Sequence, residues 1–252
     1  MVNVSLHIPA GSSSGPALLL PARRWLGRAA LLCALLGGAA ALAAQAPGMG
    51  GSRSVVVLDP AHGGADAGAH LAFSDGSNQD EKAFTLALST RLRALLAARG
   101  FMVYTTRDGD LSIEASQRAV VANHTRAQAC LSLHATTSGS GIHLYISSLT
   151  PPSDAVRVPA WKTAQSTYVT RSLALAGVIN AAMTNASLSV TLGRTALPGM
   201  DSMTCPAVAV EVAPSPAGKQ TPGALDDPAY QARVASALAA ALVQWRSEGQ
   251  SQ

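Results

Sequence analysis

Residues 55–70 read VVVLDPAHGGADAGAH, an apolar run that stops abruptly at a proline and a pair of glycines. Val55 to Leu58 have the length and β-branched content of a short, fully buried strand, which Pro60 and the Gly63–Gly64 pair bring to a stop. His62 therefore falls just beyond the strand's C-terminal end, in a loop whose glycines let backbone crowd close to something. In open α/β sheets that edge is where ligands bind.

Outward from this strand, strand-like and helix-like segments alternate. Apolar runs predict strands over 55–58, 101–105, 130–134, 142–147 and 207–212. Helical spacing predicts helices over about 80–99, 112–127, 161–184 and 227–245. The first helix is the clearest, with Phe84, Leu88, Leu92, Leu95 and Leu96 on one face and Gly100 as its stop. Such alternation implies a single α/β domain, a largely parallel twisted β-sheet flanked by helices, with a functional site at the C-terminal edge of the strands. The proline-rich segment SLTPPSDAVRVPA (148–160) breaks the rhythm, and we expect it and the start of the next helix to border the site.

Composition excludes several classes. Of 252 residues, 48% are hydrophobic and 13% charged, so the chain is neither disordered nor built like a nucleic-acid-binding protein. Its basic character is local. Arg23, Arg24 and Arg28 supply three of the 18 Lys+Arg, and no acidic residue precedes position 44, which leaves 15 basic against 14 acidic residues thereafter. A nucleic-acid partner is not expected.

The same arginines open a basic n-region before the apolar run AALLCALLGGAAAL (29–42), and Ala41-Leu42-Ala43 is a small-x-small cleavage signal. We expect residues 1–43 to be a signal peptide, 44–53 a linker, 54–246 the catalytic domain and 247–252 a tail. The protein is then exported, periplasmic or secreted, and acts as a monomer. Export permits disulfides, and Cys130 and Cys205 remain in the mature chain. Both begin apparent core strands, where a buried free thiol is the commoner outcome and a bridge the rarer one.

Four chemically capable residues sit at element ends. His62 follows the first strand, Glu81 opens the first helix, His134 closes the strand CLSLH, and Glu211 lies near the end of AVAVEV. In a parallel sheet these would converge on one edge. Two histidines and one carboxylate make a catalytic zinc set with an open fourth position, and the second glutamate suits a general base. Each has an ordinary alternative. Glu81 fits a capping box with Asn78, and His134 fits a satisfied core histidine. Glu211, between Val210 and Val212, is harder to explain without a partner or a metal. His70, His124 and His143 show no supporting partners in the sequence.

The ordered set DPAHGG (59–64), EK (81–82), TRD (106–108), RAVVAN (118–123), SLHA (132–135) and PAVAVE (206–211) resembles the zinc-dependent N-acetylmuramoyl-L-alanine amidases of bacterial cell-wall turnover. The resemblance covers about residues 54–246. It implies one Zn²⁺ held by His62, Glu81 and His134, with Glu211 as catalytic base. It also implies a peptidoglycan substrate, cut at the amide between N-acetylmuramic acid and L-alanine of the stem peptide. Asp59 and Asp66 would either orient His62 or serve only the turn, and Arg194, in the loop before Cys205, would meet an acidic peptide stem if it is not simply a solvated surface residue. A zinc exopeptidase of related fold and a non-catalytic peptidoglycan-binding module are the alternatives, and the need for a protein activator stays open. Three positions depart from the family pattern: Ala61 stands for glycine, Thr136 for asparagine after the third motif, and Val212-Ala213-Pro214-Ser215 for the usual continuation.

Overall fold

The computed structural model describes residues 54–73, 75–152, 160–215 and 224–250. The expected signal peptide and linker, and residues 153–159 of the proline-rich segment, lie outside the described residues.

Six strands form one sheet, in the order β4 (Met102–Thr105), β1 (Val55–Pro60), β5 (Ala129–Ala135), β8 (Ala207–Val212), β6 (Ile142–Ser147) and β7 (Val190–Thr195). All neighbours are parallel except β6 and β8. The reversal has a local cause. Only residues 136–141 separate β5 from β6, too few for a crossover, so β6 starts at the edge where β5 ends and runs back. A small antiparallel pair, β2 (His70–Ala72) with β3 (Asn78–Asp80), leads into the first helix.

Helices α1 (Glu81–Ala97), α3 (Val169–Asn185) and α4 (Pro228–Gln250) cover one face of the sheet. The buried stripe Phe84, Leu88, Leu92 and Leu96 of α1 packs there with Leu58, Leu131, Leu133, Val208, Val210 and Leu242. Tyr230 of α4 is fully buried in the same layer and donates its hydroxyl to the Ala213 carbonyl at 2.7 Å. The other face is covered more thinly, by α2 (Ala115–His124) and the 3₁₀ turn Met200–Ser202, over Val57, Cys130, Ala207 and Ala209. On β6, Ile142, Leu144 and Ile146 are buried, while His143 and Tyr145 alternate with them and stay half-buried on the thinner side.

The structure corrects four readings. Strand β7 was not expected; it is an edge strand, mostly exposed and interrupted by Gly193, so it lacks an apolar run. The helix expected over 161–184 is a 3₁₀ segment, Trp161–Thr167, followed by α3, with non-helical backbone at Thr163. Helix α4 continues through the expected tail to Gln250. Cys130 and Cys205 are bonded to each other, with Cα atoms 6.1 Å apart, rather than free thiols. Cys130, in β5, pairs in register with Ala207, the first residue of β8, and Cys205 lies two residues before it, so the two cysteines meet where β5 and β8 begin.

Candidate metal centre

The loop after β1 is held by arginines. Buried Arg107 donates to the carbonyls of Pro60, Ala61, Lys82 and Gly109. Arg118 donates to the Pro60 and His62 carbonyls and pairs with Asp59 at 2.7 Å. Lys82 reaches the Gly64 carbonyl and Asp110. These bonds fix His62 in left-handed backbone, φ 64°, a conformation non-glycine residues adopt rarely and mostly where function or turn geometry demands it. Ala61 does not have a positive φ, so its replacement of glycine is without backbone consequence.

His62, Glu81 and His134 meet at the C-terminal edge of β1 and β5, and their donor atoms all lie within 4.8 Å of one another. The Glu81 carboxylate sits between the rings, with Oε2 3.1 Å from His62 Nε2 and Oε1 3.1 Å from His134 Nδ1. The rings stand at 88° to each other. Glu81 is the first residue of α1, behind an Asp80 N-cap that makes no side-chain cap bond. It therefore does not close a capping box. Its oxygens accept from the backbone N–H groups of Ala69 and Ala135, each at 3.0 Å.

Burial acts to raise the Glu81 pKa, but the bonds from His134, His62 and the two backbone N–H groups outweigh it and hold the carboxyl far below its ordinary range. His62 is shifted upward, chiefly by its bond to Glu81; burial opposes, and Asp66 adds to the rise. Two imidazole nitrogens and a carboxylate oxygen converging this closely offer the donor set of a zinc-type cation site.

The outer contacts select the ring nitrogens. Asp66 Oδ2 lies 2.9 Å from His62 Nδ1, which leaves Nε2 toward Glu81. Ser132 Oγ lies 3.3 Å from His134 Nε2 and donates to Asp59 Oδ2 at 2.9 Å, which leaves Nδ1 toward Glu81. Asp66 thus touches His62 directly. Asp59 does not; it supports His134 through Ser132 and reaches His62 only through Arg118 and the backbone.

Glu211 stands one strand over from His134, as its register partner on β8. Its carboxylate is 30% exposed and contacts His143 Nδ1 at 2.9 Å through Oε2. His143 is thus partnered, contrary to expectation, and so is His70, with Asp80. Arg194 lies on β7, not in a loop, and donates to the carbonyls of Ser147 and Leu149. It braces the exit of β6 and does not line the cavity at the centre.

That cavity, about 580 Å³, has His62, His134, Ser132 and Asp59 on its polar side and Ile113, Leu197, Pro198, Met200 and Met203 on its apolar side. A smaller depression shares its Pro198 and Gly199 and adds Trp161, Lys162 and Asp201. The start of the segment after the proline-rich loop therefore lines a depression beside the cavity, not the cavity itself. Trp161 is half exposed there.

Sequence reasoning missed Gly68. At φ 68°, a Cβ there would lie 2.6 Å from His62 Cδ2 and 2.7 Å from Glu81 Oε2, so only glycine fits against the two donors. The signal was present in the glycines spaced through GGADAG (63–68) but had no geometry to give it meaning.

Residues 56–244 match the sequence profile of the N-acetylmuramoyl-L-alanine amidases. The chain belongs to this family. Amidase relatives include AmiC of Neisseria meningitidis, 35% identical over 39% of this chain and 24% of its own length, and AmiA of Salmonella typhimurium, 36% identical over 34% and 28%. The aligned segment spans about a quarter of these curated relatives. Among solved amidase structures, the catalytic domain of CwlV from Bacillus (Paenibacillus) polymyxa superposes with a TM-score of 0.56 at 25% identity, covering 77% of this chain and 98% of that one. Ami1 of Mycobacterium smegmatis shares the fold, with a TM-score of 0.58 at 23% identity over 78% and 100%.

Proposed function

We propose that this chain is an exported zinc-dependent peptidoglycan amidase that hydrolyses the amide between N-acetylmuramic acid and L-alanine of the stem peptide. The observation that carries the proposal is the convergence of His62, Glu81 and His134 in a member of the amidase family. Two imidazoles and one carboxylate, each oriented from behind, are the donor chemistry of a catalytic zinc site. Zinc held there supplies Lewis acidity, which polarises a carbonyl and makes water a nucleophile near neutral pH.

The chain's own residues supply the rest. Glu211 takes the proton of the attacking water at Oε1, which accepts no hydrogen bond from the described residues, and returns it to the departing L-alanine amine. Asp66 keeps a hydrogen on His62 Nδ1, and Ser132 with Asp59 keeps one on His134 Nε2, so the opposite nitrogens stay available as ligands. The apolar wall of Ile113, Leu197, Met200 and Met203 excludes water from one side of the cleft. The Cys130–Cys205 bridge supports the exported reading, since such bonds persist in oxidising compartments. Among the described residues no helix is long and apolar enough to cross a membrane.

Digestion of purified sacculi tests the proposal. New L-alanine amino termini on intact peptidoglycan, dependent on zinc, are expected. Release of amino acids from free peptides alone would favour an exopeptidase, and binding without cleavage a non-catalytic module.

A further inference from the structure

His143 has no part in the family motifs, yet it is the residue that holds Glu211. His134, Glu211 and His143 are register partners on β5, β8 and β6, so the three side chains form one row across the same face of the sheet. At one end of the row is a ligand of the candidate centre, and in the middle is the carboxylate. His143 Nδ1 lies 2.9 Å from Glu211 Oε2.

The ring is itself fixed. Its Nε2 lies 3.2 Å from the Ser140 carbonyl oxygen. Gly139 lets the turn close on the ring: at φ 74°, a Cβ there would lie 2.9 Å from His143 Cε1. Tyr145, two residues on, meets the ring edge-on with centroids 6.5 Å apart. The side chain is 15% exposed. A base must be an ionised carboxylate, and in that state Oε2 accepts from Nδ1. Rotation of the Glu211 carboxylate would break this bond. Oε1, which accepts no hydrogen bond from the described residues, is left free to act as the base.

We propose that His143 is a positioning residue for the reaction: with its ring packed against Gly139, its Nδ1–H clamps Glu211 Oε2 and so leaves Oε1 as the base. The inference rests on the amidase reading of the site and deepens it. His143 touches neither a candidate metal ligand nor the cavity wall, so its effect passes through Glu211 alone. The residue sets turnover, not zinc loading or substrate affinity.

The test compares the full chain with its His143→Ala and His143→Asn variants, using soluble muropeptide substrate. For His143→Ala we expect zinc per protein unchanged, KM within about twofold, and kcat lower by roughly ten- to a hundredfold, part of the 10²–10⁴ that general-base catalysis contributes. His143→Asn, whose amide N–H reaches the place of Nδ1, should recover most of the kcat. An unchanged kcat in His143→Ala, or equal loss in both variants, would overturn the proposal, as would loss of zinc. A second measurement does not depend on activity. The ring-nitrogen NMR shifts of His143, assigned by difference with His143→Asn, should change in Glu211→Gln. An unchanged spectrum refutes the clamp even if wild type cuts no sacculi, whereas a changed spectrum with inactive wild type refutes the amidase reading alone.

Discussion

Glu211 and His134 are direct register partners on the neighbouring parallel strands β8 and β5, so their side chains leave the same face of the sheet side by side. One residue is a member of the three-donor cluster, and the other is a carboxylate outside it. Strand pairing alone thus places a candidate base next to a candidate metal ligand. No loop motion is needed to bring them together.

The outer contacts should tune metal affinity. Asp59 and Ser132 fix the His134 ring from behind. Ser132→Ala and Asp66→Asn should each weaken zinc binding about 10–100-fold while leaving the fold intact. Competition with a chromogenic chelator measures this, and unchanged affinity in both variants would contradict the orienting role.

Gly68→Ala should disrupt the centre from outside it. A left-handed alanine costs about 1–2 kcal/mol, and its Cβ would overlap both His62 and Glu81. Lower thermal stability together with loss of zinc is the expected outcome. Normal zinc content in Gly68→Ala would show that the loop can shift without cost.

Acid and base should both destabilise the metal-free protein. Glu81 titrates far below its ordinary 4.5 in the fold, so its contribution is present above pH 4.5 and is lost as pH falls. His62 titrates above its ordinary 6.5, so its contribution is present below pH 6.5 and is lost as pH rises through the higher folded value. Thermal melts of chelator-treated protein should therefore be highest between about pH 4.5 and 6.5. A melting temperature that climbs steadily from pH 6.5 to 8.5 would contradict the assignment.

The Cys130–Cys205 bridge closes a sequence separation of 75 residues. Constraint of the unfolded chain over that length is worth about 2–4 kcal/mol. The double Cys→Ala variant should unfold at clearly lower denaturant than the oxidised wild type, and coincident midpoints would count against the bond's stabilising role.

Legibility in the sequence followed burial. The apolar runs of β1, β5 and β8 and the stripe of α1 could be read because both have strong periodic patterns, and with them came the ends that carry His62, Glu81, His134 and Glu211. Strand β7 was missed because an exposed edge shows no such pattern, and Arg194 was misplaced with it. The bridge was read as free thiols because pairing is a matter of register between β5 and the entry to β8, which spacing does not encode. His143 was passed over for the same reason. Its partner lies 68 residues away and becomes visible only when β6 is known to run back beside β8.

Zinc content and amidase rate, measured together across His62→Ala, Glu81→Ala, His134→Ala and Glu211→Gln, separate the metal ligands from the base. The first three should lose both zinc and activity. Glu211→Gln should stay folded and zinc-loaded yet lose roughly 10²–10⁴-fold or more in turnover. A fully active Glu211→Gln, or a Glu81→Ala variant that keeps its zinc, would contradict the mechanism.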